Sequence, residues 1–240
     1  IQVTDAGGGL LTYFNEEFGV DGVSCTSQGT LANGYNSGSG GWSVNSTGVN
    51  DADANLWFVS TMEEGVGSGN CGTGCSVGGP GINRTLHISN PAIPVFGLQA
   101  DQGAAYNAGG VCPVFYCVAT DIIAESPALN LAGTAMTLTF DYIHLGDGID
   151  QCEIMYFDGA VWNSLGILPN TSIGSCTGGQ HTWSQYNWPI PLALNGLANF
   201  QIGFRWVNDD DGAGTDPSVA IDNIQISELG GGCPALGNIS

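Results

Sequence analysis

The densest set of ligand-forming groups is the run Asn208-Asp209-Asp210-Asp211-Gly212-Ala213-Gly214-Thr215-Asp216. Calcium gathers about six to eight oxygens, and a glycine-containing loop lets side-chain and backbone oxygens converge on one point. Asp209, Asp210, Asp211 and Asp216 are therefore candidate calcium ligands. A solvated acidic loop between two strands explains the same residues without an ion. A fifth carboxylate, Asp222, lies in the alternating stretch Val219 to Ser227. Strict alternation sets it on one face with Ile224 and Ile226, and a buried charge needs a partner. Arg205 is one such partner, while a bulge that turns Asp222 outward removes the need for one.

Three further constellations could carry chemistry. Trp183, Tyr186 and Trp188 crowd together in HTWSQYNWP; exposed rings stack on sugar faces, and buried ones pack a core. Asp141, Asp147, Asp150 and Glu153 could supply the acid and base of a glycoside hydrolase, although carboxylates are too plentiful here for a pair to be diagnostic. His87, His144 and His181 sit in no nucleophile or metal motif and are expected as ordinary strand or loop residues. The sequons at Asn45, Asn83, Asn170 and Asn238 have meaning only in a source that glycosylates exported chains.

Eight cysteines, an even number, point to disulfides. The close pairs Cys71/Cys75 and Cys112/Cys117 suit small loop staples. Cys152 and Cys176 flank a hairpin and could tie neighbouring strands, which leaves Cys25 and Cys233 to pair by default. Neither close pair has zinc-knuckle spacing or a histidine nearby.

Composition restricts the partners. Asp and Glu number 22 against 2 Arg and no Lys, a formal net charge of −20. Nucleic acid and anionic lipid are repelled by such a chain, and divalent cations are attracted. With 42% hydrophobic residues and only 10% charged, it folds rather than staying disordered. No stretch approaches the ~18 apolar residues of a membrane helix. The absence of a leader before Ile1 reads as a mature exported product, placed outside the cell or on its surface.

The elements that must position these groups are strands. Helical periodicity is nearly absent, and two-residue alternation recurs between Gly, Asn, Asp and Pro punctuation. Met136, Leu138, Phe140 and Tyr142 share one face of a strand, and Phe200, Ile202, Phe204 and Trp206 share another. Cys152 to Phe157 and Ala160 to Leu165 form a hairpin around Asp158-Gly159, read as a two-residue type I′ turn. In the first half, Tyr13 to Phe18, Leu56 to Thr61, Arg84 to Ser89 and Val95 to Ala100 are candidate strands, separated by polar loops at 27–41 and 65–81. Residues 13–228 are expected as one β-sandwich, with an N-terminal strand and hinge at 1–12 and a tail at 229–240.

The stretch from Ala128 to Ser227 resembles the jelly-roll modules, MAM-like or concanavalin-A-like, of secreted Bacteroidota surface proteins. The shared order is "L-x-L-x-G", an aromatic strand ending in Asp141-Tyr142, an "FDG-x-x-W" hairpin at Phe157 to Trp162, and a closing "A-I-D-N-I" at Ala220 to Ile224. The opening YFNEEFGVDG is similar to their N-terminal strand. The resemblance implies an all-β jelly-roll β-sandwich, here with long glycine-rich loops and disulfides, and a calcium shared by Asp222 with Glu16 or Glu17. Function is then expected to be non-catalytic and extracellular, structural or adhesive. One form is a homopolymer, a surface filament in which Ile1 to Asp5 or the tail after Gly232 adds a strand to a neighbouring copy. The alternatives are a carbohydrate-binding module, with an extracellular glycan on Trp183 and Trp188, and a hydrolase or an accessory domain of one.

Overall fold

The computed structural model describes residues 9–23, 35–37, 40–66, 71–74, 82–90 and 101–229. Among these residues fourteen strands are present: β1 (Leu10–Glu16), β2 (Tyr35–Ser37), β3 (Gly40–Ser46), β4 (Leu56–Ser60), β5 (Glu63–Glu64), β6 (Thr73–Gly74), β7 (Thr85–Ser89), β8 (Thr120–Glu125), β9 (Thr137–His144), β10 (Gln151–Phe157), β11 (Trp162–Ile167), β12 (Ser184–Pro189), β13 (Gln201–Asn208) and β14 (Val219–Leu229). Two antiparallel sheets face each other as a jelly-roll β-sandwich. The first runs β12-β9-β14-β7-β4, with β1 alongside β14, and the second runs β11-β10-β13-β8-β3-β2. Among the described residues no helix is long and apolar enough to cross a membrane.

Alternation explains the layers. Met136, Leu138, Phe140 and Tyr142 are buried from the first sheet, and Ile202, Phe204 and Trp206 from the second. Phe140 and Phe204 meet edge to face across the interface at 5.1 Å, and Trp42 stacks over Phe204 at 6.4 Å. Such aromatic contacts add to the area each ring removes from water. From β8 onward the chain crosses repeatedly between sheets, so the loops that join them collect at the sandwich ends.

Several expectations are corrected. The hairpin closes through four residues: Phe157 pairs with Trp162, and the Asp158 carboxylate accepts the Ala160 and Val161 amides. Only Gly159 takes positive φ there, whereas a type I′ turn needs two such residues. Strict alternation fails at Asp222, because β14 shifts register between Asp222 and Gln225 and Asn223 sits at φ 51°. The bulge keeps Ile221, Ile224 and Ile226 in the core and turns Asp222 out of that row. Arg205 is not its partner: it lies on the other sheet, held by Asp121 and Glu153.

Of the proposed disulfides, Cys112–Cys117 is present, but Cys71 bonds to Cys176 rather than to Cys75. The reason is strand-like pairing between distant segments, since Cys71 bridges Thr182 and the Gly72 amide donates to the His181 carbonyl. Cys152 is therefore not joined to Cys176; it points into the core from β10 and is a buried free thiol. Cys25, Cys75 and Cys233, the strand placed at Val95 to Ala100, and both segments invoked for strand addition lie outside the described residues.

Candidate binding site

Three inter-strand loops meet at one end of the sandwich. His144 ends β9, the turn Leu145-Gly146-Asp147-Gly148-Ile149-Asp150 leads into Gln151 of β10, Ile167 ends β11 with Asn170 just beyond, and Thr215 comes from the acidic loop before β14. Together they line a pocket of about 330 Å³. The turn is tight: Asp147 and Asp150 exchange backbone hydrogen bonds at 3.0 and 2.6 Å. Gly146 has φ 63°, and a β-carbon there would stand 1.9 Å from the Asp150 carbonyl oxygen, so glycine is required.

The pocket groups are firmly held. The Cys152 amide donates to His144 Nε2 (3.1 Å), so Nε2 is the unprotonated nitrogen and the ring proton sits on Nδ1. Among the described residues, buried Nδ1 makes no hydrogen bond of normal geometry. Burial pushes the His144 pKa down to about 4 against an opposing pull from the Pro169 and Leu168 backbone, so the ring is neutral at physiological pH. Thr171 clamps the His144 backbone and its hydroxyl also meets His181 Nδ1 at 3.2 Å, which brings two of the three histidines together. Asp150 accepts the Tyr106 hydroxyl (2.9 Å) and the Asp209 amide (3.2 Å). Its pKa is pushed up to about 6, mainly by burial, and those hydrogen bonds limit the rise.

The acidic loop spends its carboxylates on backbone amides. Asp209 accepts from Asp211, Asp211 from Ala213, Asp210 from Gly110, and Asp216 from Tyr106. Glu16 is likewise committed, to the Phe18 amide and the Trp42 indole. Among the described residues, the one trio of metal-type ligand atoms lying within 4.8 Å of one another is Cys112, Cys117 and Asp210, and its two cysteines form a disulfide. Asp222 is different. Fully buried, it accepts the Val66 amide, the Asn83 side chain and the Asn223 amide, and burial raises its pKa to about 7, helped by Asp141 and Glu17. Asp141 and Glu17 act on it through their charge, while the three N–H donors occupy its oxygens.

The other sequence candidates are dispersed. Tyr186 stacks on Phe140 at 4.9 Å and Trp188 leans on Tyr156 at 5.2 Å, both half-buried at the sandwich edge, while Trp183 packs on a small cluster of Ala104, Ile143 and Ala220. Asp141 accepts from Asn223 and Glu153 pairs with Arg205, so of the four hydrolase candidates only Asp147 and Asp150 share the pocket. Elsewhere, Asp101, His87 and Thr85 line up at 2.9 Å steps, an arrangement reminiscent of a nucleophile triad. All three are buried, Phe58 covers the imidazole, and the Thr85 hydroxyl donates to the Glu63 carbonyl, which makes the array a structural network. On the outer face of the second sheet, Phe157 and Trp162 lie 5.6 Å apart beside Gly203.

Sequence reading singles out Asp147, Asp150 and His144, but not Gln151 or Thr215, and marks Asn170 only as a sequon. The signal available is the Gly-Asp-Gly turn between two strands, with a histidine at the end of the first.

No family model matches the chain, and no curated protein matches it. Among solved structures it is similar to a cleaved adhesin domain of Lys-gingipain from Porphyromonas gingivalis, at 15% identity and TM-score 0.45 over 93% of this chain and 100% of that one. It is also similar to the module TmCBM61 in complex with β-1,4-galactotriose (9%, TM-score 0.40, 85% and 97%). A third is the CBM22-1 xylan-binding domain from Paenibacillus barcinonensis Xyn10C (8%, TM-score 0.38, 94% and 97%).

Proposed function

We propose that the chain is a non-catalytic binding module of the cell exterior whose ligand is an uncharged glycan, held in the pocket between His144, Gln151 and Asn170. The pocket's chemistry carries this reading. Sugar hydroxyls both donate and accept, and the Gln151 and Asn170 amides offer both functions, with Asp147 as acceptor and the Ile167 side chain as an apolar wall for a ring face. Its volume lies at the small end of ligand pockets, roughly 300–1,000 Å³. Asp147, Asp150 and the overall charge of −20 disfavour phosphorylated or uronic ligands. The disulfides support an oxidising compartment. In this reading Asp150 and His144, each held by internal hydrogen bonds, shape the pocket and do not act chemically on the ligand. Calcium belongs to the proposal at Asp222, with Asp141 and Glu17 nearby, as a stabilising ion and not as part of the sugar site.

A glycan microarray tests the assignment. Binding of neutral oligosaccharides by the wild type, lost in Asn170→Ala and Gln151→Ala, supports it; binding confined to sulfated or sialylated glycans, or unaffected by both substitutions, refutes it.

A further inference from the structure

The Cys112–Cys117 disulfide closes the loop Pro113-Val114-Phe115-Tyr116. Within it the Val114 and Phe115 amides both donate to the Val111 carbonyl, at 3.0 and 3.2 Å, so the loop has a fixed shape. Val114 is 76% exposed and Phe115 79%. None of the four enclosed residues is buried. The staple thus fixes a loop that adds no side chain to the core. Adjacent apolar side chains on a rigid support have the character of a binding anchor, because little ordering entropy remains to be lost on contact.

The base of this tip is acidic. The Asp53 amide donates to the Cys117 carbonyl, Asp51 accepts the Ala119 amide, and Gly109 bridges to Asp211. A carboxylate oxygen of Asp210 lies within 4.8 Å of both sulfurs. The Asp210 pKa is raised, first by burial and then by Asp51 and Asp209, which shows how closely these acids crowd. The two arginines of the chain are both engaged, Arg84 with Asp21 and Arg205 with Asp121 and Glu153.

We propose that the stapled loop docks on another extracellular protein, seating Val114 and Phe115 in an apolar recess rimmed by Lys and Arg side chains. Charge decides between occupants. A second copy brings the same charge of −20 and only two Arg, and an anionic bilayer meets the same repulsion, whereas a basic rim pairs with Asp51, Asp53, Asp209, Asp210 and Asp211. The surface is independent of the sugar pocket and stands without it.

Two peptides of equal length and charge, one alternating Lys with Leu and one Lys with Ser, provide the probes, with fluorescence anisotropy at physiological salt as the readout. The wild type is expected to bind the Lys-Leu peptide about ten-fold more tightly than the Lys-Ser peptide. Val114→Ser/Phe115→Ser removes that preference without changing the thermal melt, since both side chains lie outside the core. Asn170→Ala retains it even where glycan binding is lost, so the two readings fail separately. A preference that survives in the double variant, or is absent from the wild type, overturns the proposal. So does binding to uncharged phosphatidylcholine vesicles that the double variant loses, which would make a bilayer the ligand.

Discussion

Replacing Asp222 by Asn should change the pH dependence of stability in a direction opposite to that of most surface carboxylates. The Asp222 carboxyl is fully buried, and its pKa is raised from 3.8 to about 7 by burial, with Asp141 and Glu17 adding to the rise. Between those two values the native state holds a proton that the unfolded chain has released, so stability falls as pH rises through that window. At about 1.4 kcal/mol per pKa unit, a shift of roughly three units corresponds to a loss on the order of 4 kcal/mol between pH 4 and pH 8. An Asn side chain carries no charge at any pH and escapes this term. Any fixed cost of its amide, which must face donors at Val66 and Asn83, is the same at both ends of the range. Urea unfolding of both chains in a chelator, at half-unit steps from pH 4 to pH 8, isolates the effect. Glu63, Asp150 and Asp216 are also raised, to about 7, 6 and 6, but they act in both chains and cancel in the comparison. The Asp222→Asn variant should gain on wild type by a few kcal/mol toward pH 8, and parallel curves for the two chains would refute the reasoning. With calcium in place of chelator, wild type should be stabilised above pH 6 and Asp222→Asn should not.

Phe204→Ala, at the centre of the inter-sheet contact, should cost about 3–5 kcal/mol in denaturant unfolding, as expected for a fully buried ring. Gly146→Ala forces a β-carbon onto the Asp150 carbonyl at positive φ; a loss of about 1–3 kcal/mol and of glycan binding together is expected, measured by thermal melt and titration. Cys152 should stay unmodified by maleimide in the native protein and react only after denaturation, as peptide mass mapping would show, because burial both blocks it and raises its thiol pKa.

The layers are legible because one face of β9, β10 and β13 is apolar over most of its length: Phe140 and Phe204 announce their burial in the spacing of their neighbours. β3, β8 and β12 are less so. The glycine- and serine-rich run 27–41 reads as loop, yet β2 and the start of β3 lie in it and Trp42 follows directly, and β8 carries Ile122 and Ile123 in succession, since Ile123 is buried on the outer face of the sheet. The short-loop argument holds at Cys112–Cys117 and fails at the equally close Cys71/Cys75, so closeness in sequence does not by itself fix a disulfide. The Cys71–Cys176 bond spans 105 residues and depends on how two loops meet in space. The pocket is half visible for the same reason: Asp147 and Asp150 are local to one turn, but Asn170 and Thr215 join them only through the order of strands in the sheets. Asp222 shows the limit of periodicity, since a single bulge reverses the face to which a buried carboxylate belongs.

The sugar-binding reading meets its most direct test in a crystal structure of the chain soaked with a neutral oligosaccharide that it retains on a glycan column. A pyranose ring lying between Gln151 and Asn170 and against Ile167 is the expected result. Sugar density over Phe157 and Trp162 on the outer sheet, with the pocket filled only by solvent, would contradict it.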